Sequence, residues 1–326
     1  MTREIMPGIY QLHIPLPNNP LKVLNSYLIR GRDHSLLVDT GFNWPECYAA
    51  QIESIKQLGL DWNQIDFFIT HLHADHSGLV FVLSTDNSQI FCSETDGYII
   101  ENAGTEAFWE KADAFFKSHG YPAEYLKAQR SSFQGAIPSA AKPINYVKEG
   151  DILNYGDYRF TCISTPGHTP GHMCLYEADK KFLIAGDMVL SNITSNITAR
   201  LDVEDALGNY LDSLDKLDAM EIAAIIPGHR EIIYDHHSRI AELKKHHDVR
   251  LKEVMSILGH GPMNGYQVAS RMTWDMVYDR WEDVASYQQW FATGEAVAHL
   301  EHLHHLHMIE KKQVDGSIVY QLPSEC

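Results

Sequence analysis

Thr70-His71-Leu72-His73-Ala74-Asp75-His76 sets three imidazoles and a carboxylate within one short stretch of chain. Ordinary cores avoid such density, because each buried polar group needs a partner. Neutral imidazole and carboxylate are ligands for borderline-soft ions such as zinc, so His71 and His73, followed by Asp75 and His76, suit two adjacent ions. His71 and His73 lie two apart and share a side only on extended backbone, which separates this run from the helical zinc motif with histidines four apart. Just before it, Ile65, Phe67, Phe68 and Ile69 form the short apolar run of a buried strand. Just after it, Ser77-Gly78 and the apolar Leu79, Val80, Val82 and Leu83 predict a helix entered through Asp75 at or near its N-cap.

A two-ion site needs further ligands, and three later loops carry the right chemistry. They are Thr165-Pro166-Gly167-His168-Thr169-Pro170-Gly171-His172, Ala185-Gly186-Asp187 and Pro227-Gly228-His229. Each follows a run that reads as a buried strand, 160–163, 182–185 and 223–226. In each a glycine precedes the polar residue and lets the backbone bend sharply, so that the next side chain faces a shared cleft.

This ordered set, HxHxDH followed by a His, an Asp and a His at strand ends, resembles the metallo-β-lactamase superfamily over roughly the first 240 residues. The resemblance implies an α/β fold, a four-layer αββα sandwich, with two divalent metal ions, zinc first and iron or manganese as alternatives. It implies that His71, His73 and His168 hold one ion, that Asp75, His76 and His229 hold the second, and that Asp187 bridges them. His172 reads as a supporting residue rather than a ligand. The runs Asn25–Ile29 and Leu36–Gly41 look like the family's opening hairpin, in which Asp39 would orient ligands from behind.

With 326 residues and 44% hydrophobic content, the chain has material for about two globular domains. No basic N-terminal segment leads into an apolar stretch, and no run of about 18 apolar residues occurs, so a soluble cytoplasmic protein is expected, with neither signal peptide nor membrane span. Cys47, Cys92, Cys162, Cys174 and Cys326 are scattered and never in a CxxC pair, which argues against a disulfide framework. The formal charge of −17, without a block of Lys or Arg, disfavours nucleic acid as a partner.

Ninety-one residues separate His76 from His168, which predicts an insertion at about 95–142. Within it Phe108, Ala112, Phe115, Phe116 and His119 follow the spacing of an amphipathic helix, stopped by Gly120 and Pro122, with a second short helix over 123–130 and a looser segment to 143. Phe108, Trp109, Phe115 and Phe116 are candidate substrate contacts if the insertion forms a cap, and packing residues if it does not. We therefore divide the chain into a hydrolase domain, 1–240, and a C-terminal domain, 241–326. In the latter, a long helix (235–258), a Gly-rich break, helices over 266–272 and 294–309, and a hairpin at Asp315-Gly316 resemble a winged helix. From Lys244 onward it holds 8 Lys/Arg against 11 Asp/Glu, which favours packing or a homodimer over DNA binding. His299, His302, His304, His305 and His307 surround one helix without convergence and read as surface or interface residues.

The chemistry that follows is hydrolysis. Two ions sharing a water would generate a bridging hydroxide near neutral pH, with Asp75 relaying a proton to the leaving group. A small ester, thioester or lactone with an apolar portion is the expected substrate. A metal-dependent endoribonuclease or phosphodiesterase is the alternative, and a non-enzymatic DNA-binding regulator the third. Asp187 is followed by Met188-Val189-Leu190, without the tyrosine that the superfamily's lactonases and glyoxalases carry there, and His73 argues against its oxygen-reducing di-iron branch.

Overall fold

Strand order follows chain order in a seven-stranded sheet whose last three junctions are parallel. The computed structural model describes residues 2–103, 105–126, 142–275, 278 and 280–323. The described residues form two compact units, one drawn from 1–104, 134–195 and 213–240, the other from 105–133, 196–212 and 241–326.

In the first unit, β1 (Thr2–Met6), β2 (Ile9–Pro15), β3 (Val23–Ile29) and β4 (Ser35–Val38) run antiparallel, and β5 (Ile65–Phe68), β6 (Ile90–Ser93) and β7 (Asn145–Val147) continue in parallel. A second sheet is ordered β12-β11-β10-β9-β8, from β8 (Ile152–Tyr155), β9 (Tyr158–Ser164), β10 (Met173–Glu177), β11 (Phe182–Gly186) and β12 (Ala224–Pro227). Alternation along the strands sorts two cores. Leu12, Leu28, Leu37 and Phe67 pack with Cys47 and Ile55 of helix α1 (Pro45–Gln57), on one face of the first sheet. Their neighbours Tyr27, Ile29, Val38 and Phe68 point the other way and meet Phe160, Leu175, Phe182 and Ile226 of the second sheet. The ligand loops thus leave the ends of strands that are clamped on both sides.

The strand runs read from sequence match β5, β9, β11 and β12 to within a residue or two. The helix after the metal motif differs from expectation. It is a single turn, α2 (Ala74–Ser77), followed by α3 (Val80–Leu83), and its N-cap is His73, with no side-chain cap. Asp75 does not cap because its carboxylate is turned into the histidine cluster, 3.3 Å from His229. Helix α4 (Glu94–Asn102) follows β6.

In the second unit, helix α5 (Glu106–Ser118) starts where the amphipathic spacing puts it, capped by Thr105. Its buried Phe116 stacks on Trp290 with ring centroids 4.2 Å apart, and Tyr121 and Leu126 extend the same core. Trp109 is also buried, while Phe108 and Phe115 are half-buried. The helix read over 123–130 and the segment to 143 lie largely outside the described residues. Helix α6 (Ala206–Asp218) ends in the first unit, and α7 (His236–Leu258) begins there.

Further helices are α8 (Gly265–Ala269) and α9 (Ser286–His305), and the hairpin pairs β13 (Glu310–Val314) with β14 (Ser317–Gln321). Asp315 and Gly316 both have positive φ (48° and 81°), as a tight turn of the Asp-Gly type requires. Helix α9 begins eight residues before the expected start at Gly294. Tyr287, Trp290 and Phe291 there read as a connection because α9 buries residues around most of its circumference and so lacks a clean apolar stripe. Val254, Leu258, Val268, Leu300 and Tyr320 form this region's core.

Candidate metal centre

Strand β5 ends at Phe68, and the chain then bends over Thr70, His71 and Leu72 rather than staying extended as the spacing suggested; it still places His71 and His73 together, with His71 Nε2 3.1 Å from His73 Nδ1. The loop after β9 brings His168, whose ring centroid lies 4.6 Å from that of His73 and 4.9 Å from that of His71. From the end of β11 comes Asp187 and from the end of β12 His229. Ligand atoms of His71, His73 and His168 lie within 4.8 Å of one another, as do those of Asp75, His76 and His229, and those of His71, His76 and Asp187. Asp187 stands between the two outer triads. Its Oδ1 is 3.4 Å from His76 Nε2, and its Oδ2 is 3.6 Å from His229 Nε2 and 3.8 Å from His168 Nε2. All seven residues expected to hold metal are therefore brought together.

The glycines before these ligands serve two different needs. Gly186 has a left-handed φ of 46°, and a Cβ there would meet Thr70 Oγ1 at 2.7 Å. Gly228 needs no unusual φ. A Cβ there would come within 2.7 Å of both Asp187 Oδ1 and His76 Cε1, so this glycine keeps room for the site itself.

Behind the cluster, Asp39 has φ of 59°, a conformation that costs energy for a residue with a Cβ and persists where surrounding bonds fix it. Its carboxylate accepts from Thr70 N at 2.9 Å, Thr70 Oγ1 at 2.8 Å and His76 Nδ1 at 2.7 Å. With its proton given to Asp39, the Thr70 hydroxyl oxygen accepts from His71 Nδ1 at 3.0 Å. His229 Nδ1 donates to the Val23 carbonyl at 2.7 Å. These bonds leave the Nε2 atoms of His71, His76 and His229 facing the cluster, and those of His76 and His229 are only 3.3 Å apart. Opposed imidazole nitrogens at that distance need a proton or a cation among them. The donor set of neutral nitrogens and carboxylate oxygens fits divalent ions of the zinc class.

The electrostatics divide along the same line. Burial, then the neighbouring imidazoles, hold His71 well below its ordinary pKa, and burial with His168 holds His73 down to about 3, the neutral state a ligand needs. Burial would lower His76 as well, but Asp187, Asp39 and Asp75 outweigh it and push it up; Asp187 and Asp75 raise His229 likewise. Against its own burial, Asp75 is drawn down to about 2 by His76 and His229, and Asp187 is lowered by the same two rings. Ions entering this half would displace protons, which makes their binding pH-dependent.

His172 belongs to none of the three ligand groups. Its Nε2 accepts from the Asp187 backbone N at 3.3 Å and its Nδ1 donates to Thr165 Oγ1 at 2.8 Å, so it braces the Asp187 loop. Sequence reasoning missed Asp96. Fully buried near the start of α4, it accepts from Leu72 N at 2.9 Å, Gly171 N at 2.7 Å and Thr169 Oγ1 at 2.5 Å, tying the first ligand loop to the second. The spacing Ser93-x-x-Asp96 reads only as a helix start, which it also is, since Ser93 Oγ accepts from Asp96 N.

Comparison with known proteins agrees with this geometry. The Metallo-beta-lactamase superfamily pattern matches residues 21–229. The chain is 26% identical over 305 residues to the "Probable metallo-hydrolase YqjP" of Bacillus subtilis, covering 90% of this chain and 91% of that protein. It is 24% identical over 213 residues to the human "Acyl-coenzyme A thioesterase MBLAC2", covering 63% of this chain and 72% of that one. The crystal structure of the metallo-beta-lactamase family protein TTHA1429 from Thermus thermophilus superposes with a TM-score of 0.83 at 27% identity, over 98% of this chain and 100% of that one. The chain belongs to the metallo-β-lactamase superfamily and is one of its metal-dependent hydrolases.

Proposed function

We propose that this protein hydrolyses a small acyl thioester, or a related ester or lactone, with an apolar acyl portion, at a binuclear centre that holds zinc. The observation that carries the reading is the position of Asp187 between two three-residue ligand groups, which suits a pair of adjacent ions. Such ions, when bound, would lower the pKa of a shared water and polarise the scissile carbonyl. The side chains supply the rest. Asp39 holds the His76 ring, and through Thr70 the His71 ring, in the tautomers that present Nε2. Asp75, kept ionised and close to His229, is the group placed to carry a proton to the leaving sulfur or oxygen. The name of the human relative, an acyl-coenzyme A thioesterase, puts thioesters first. Met188, Val189 and Leu190 after Asp187 are buried and apolar, a departure from the superfamily's lactonases and its thioester-cleaving glyoxalases alike.

We further infer a cytoplasmic enzyme with four αββα layers. Helix α5 would select the acyl chain through the half-buried Phe108 and Phe115, and the C-terminal helices and hairpin would act as a winged-helix-like packing or dimerisation module. No helix among the described residues is long and apolar enough to cross a membrane. The deciding experiment is a panel of acyl-coenzyme A thioesters of graded length, p-nitrophenyl esters, lactones, a chromogenic cephalosporin, bis-p-nitrophenyl phosphate and single-stranded RNA, with zinc and with manganese. Thioesters should show the highest kcat/KM. Efficient RNA cleavage with every carbonyl compound untouched would replace this reading by the endoribonuclease.

A further inference from the structure

Helix α6 ends at Asp218 and helix α7 begins at His236, and there a second convergence of ligands occurs that shares no residue with the binuclear centre. One ligand atom from each of Asp218, His236 and His237 lies within 4.8 Å of the others. His237 Nδ1 is 2.7 Å from Asp218 Oδ1, and the rings of His236 and His237 face each other at 3.9 Å with 35° between their planes. An exposed His–Asp pair alone would be ordinary and worth little. His236 is not ordinary. It is 5% exposed, and its Nε2 is buried with no hydrogen-bond partner. A buried polar nitrogen left so costs free energy that a ligand to it would recover.

We propose that Asp218, His236 and His237 form a third divalent-cation site, of the zinc class, that fastens the end of α6 to the start of α7. Two imidazoles and one carboxylate suit zinc, cobalt or nickel rather than the all-oxygen preference of magnesium or calcium. Burial first, and then His237, hold His236 below its ordinary pKa and so in the neutral form that binds metal. The C-terminal end of α6 carries partial negative charge that favours a cation beside Asp218. The N-terminus of α7 opposes it, but there Asp235 accepts from Ser238 N at 3.0 Å and sets a carboxylate against that end. Three protein ligands leave a fourth position to water. With Asp218 44% and His237 66% exposed, the ion would exchange readily and bind more weakly than those of the centre.

The test uses holoprotein already holding two equivalents of zinc, titrated calorimetrically with further zinc while the melting temperature is followed. One further equivalent should bind and raise the melting temperature. D218N and H237A, both at exposed positions, should weaken it at least tenfold while leaving the two tight equivalents and the hydrolytic rate unchanged; H236A should abolish it. D187A should lose an ion from the centre yet keep the weak equivalent, which separates failure of this site from failure of the binuclear reading. Absence of a third equivalent in the wild-type protein, or one that D218N and H237A bind as tightly, overturns the proposal and leaves His236 Nε2 to a water.

Discussion

If Asp187 bridges two ions as proposed, nothing in its loop can replace it, because Gly186 before it and the buried Met188 after it offer no side-chain oxygen to the cluster. Replacing Asp187 by Ala should therefore remove one of the two ions and nearly all activity, as elemental analysis of the purified variant alongside an assay would read. Asp96 acts differently, since it touches loops and not the cluster. Asp96→Asn exchanges one acceptor oxygen for an amide donor facing Leu72 N, Thr169 Oγ1 or Gly171 N. That mismatch should loosen both ligand loops and weaken metal affinity by about 10- to 100-fold in a chelator competition, a size typical of supporting residues around metal ligands. Unchanged affinity would reduce Asp96 to a helix cap. The contrast shows what the residues disclose before folding. The convergence of His71, His73, Asp75, His76, His168, Asp187 and His229 is legible because the proposed metal chemistry restricts residue type and strand ends restrict position. Asp96 is not, because a carboxylate in the first turn of a helix has a sufficient local reason to be there, and its three donors come from residues up to 75 positions away.

Helix α5 carries aromatics that spacing alone assigns to one face without naming what that face meets. In the folded chain Phe116 stacks on Trp290 and Phe115 tilts against His119, at 4.2 and 4.5 Å between centroids. Phe116→Ala should therefore behave as a core truncation, costing about 3 to 5 kcal/mol in denaturant unfolding with chain-length preference unaltered. Phe108→Ala, at a half-buried position, is the variant that tests acyl selection. It should lower kcat/KM more for long than for short acyl chains, by roughly 1 to 3 kcal/mol at most, with metal content constant. Equal loss across chain lengths would make α5 a packing element alone. The same limit on pattern reading explains α9. Periodicity locates a helix that is apolar on one side, as α5 is, but a helix buried around most of its circumference blurs into its flanks.

Acid and alkali should strain the second unit for opposite reasons. Burial pushes the Glu295 carboxyl up to about 7, against the opposing pull of Arg250 and a 2.6 Å hydrogen bond from Asn196 Nδ2. An acid raised in the folded state is bound to its proton there after the unfolded chain has lost it. Stability is therefore fully present below the ordinary value of 4.5, falls as pH rises towards 7, and levels off above. Burial holds His247 and His299 down to about 2 and 3, so their contribution runs the other way and is lost as pH falls below 6.5. Glu295→Gln keeps an oxygen for Asn196 and removes the buried charge. It should raise the unfolding free energy at pH 8 by up to roughly 3 kcal/mol and leave it nearly unchanged at pH 4. An equal effect at both values would mean that Glu295 is not buried as a titrating group.

Phe116 and Trp290 are 174 positions apart in the chain, yet they share one stacked contact. Synthesis at about 5 to 20 residues per second would separate their emergence from the ribosome by roughly ten to thirty-five seconds. During that interval Phe116 has only its chain neighbours Tyr121 and Leu126 as native cover, so the aromatic face of α5 is incompletely buried in the nascent chain. A chain that stops after residue 240 would never leave that condition, and aggregation should be its fate even with every metal ligand intact.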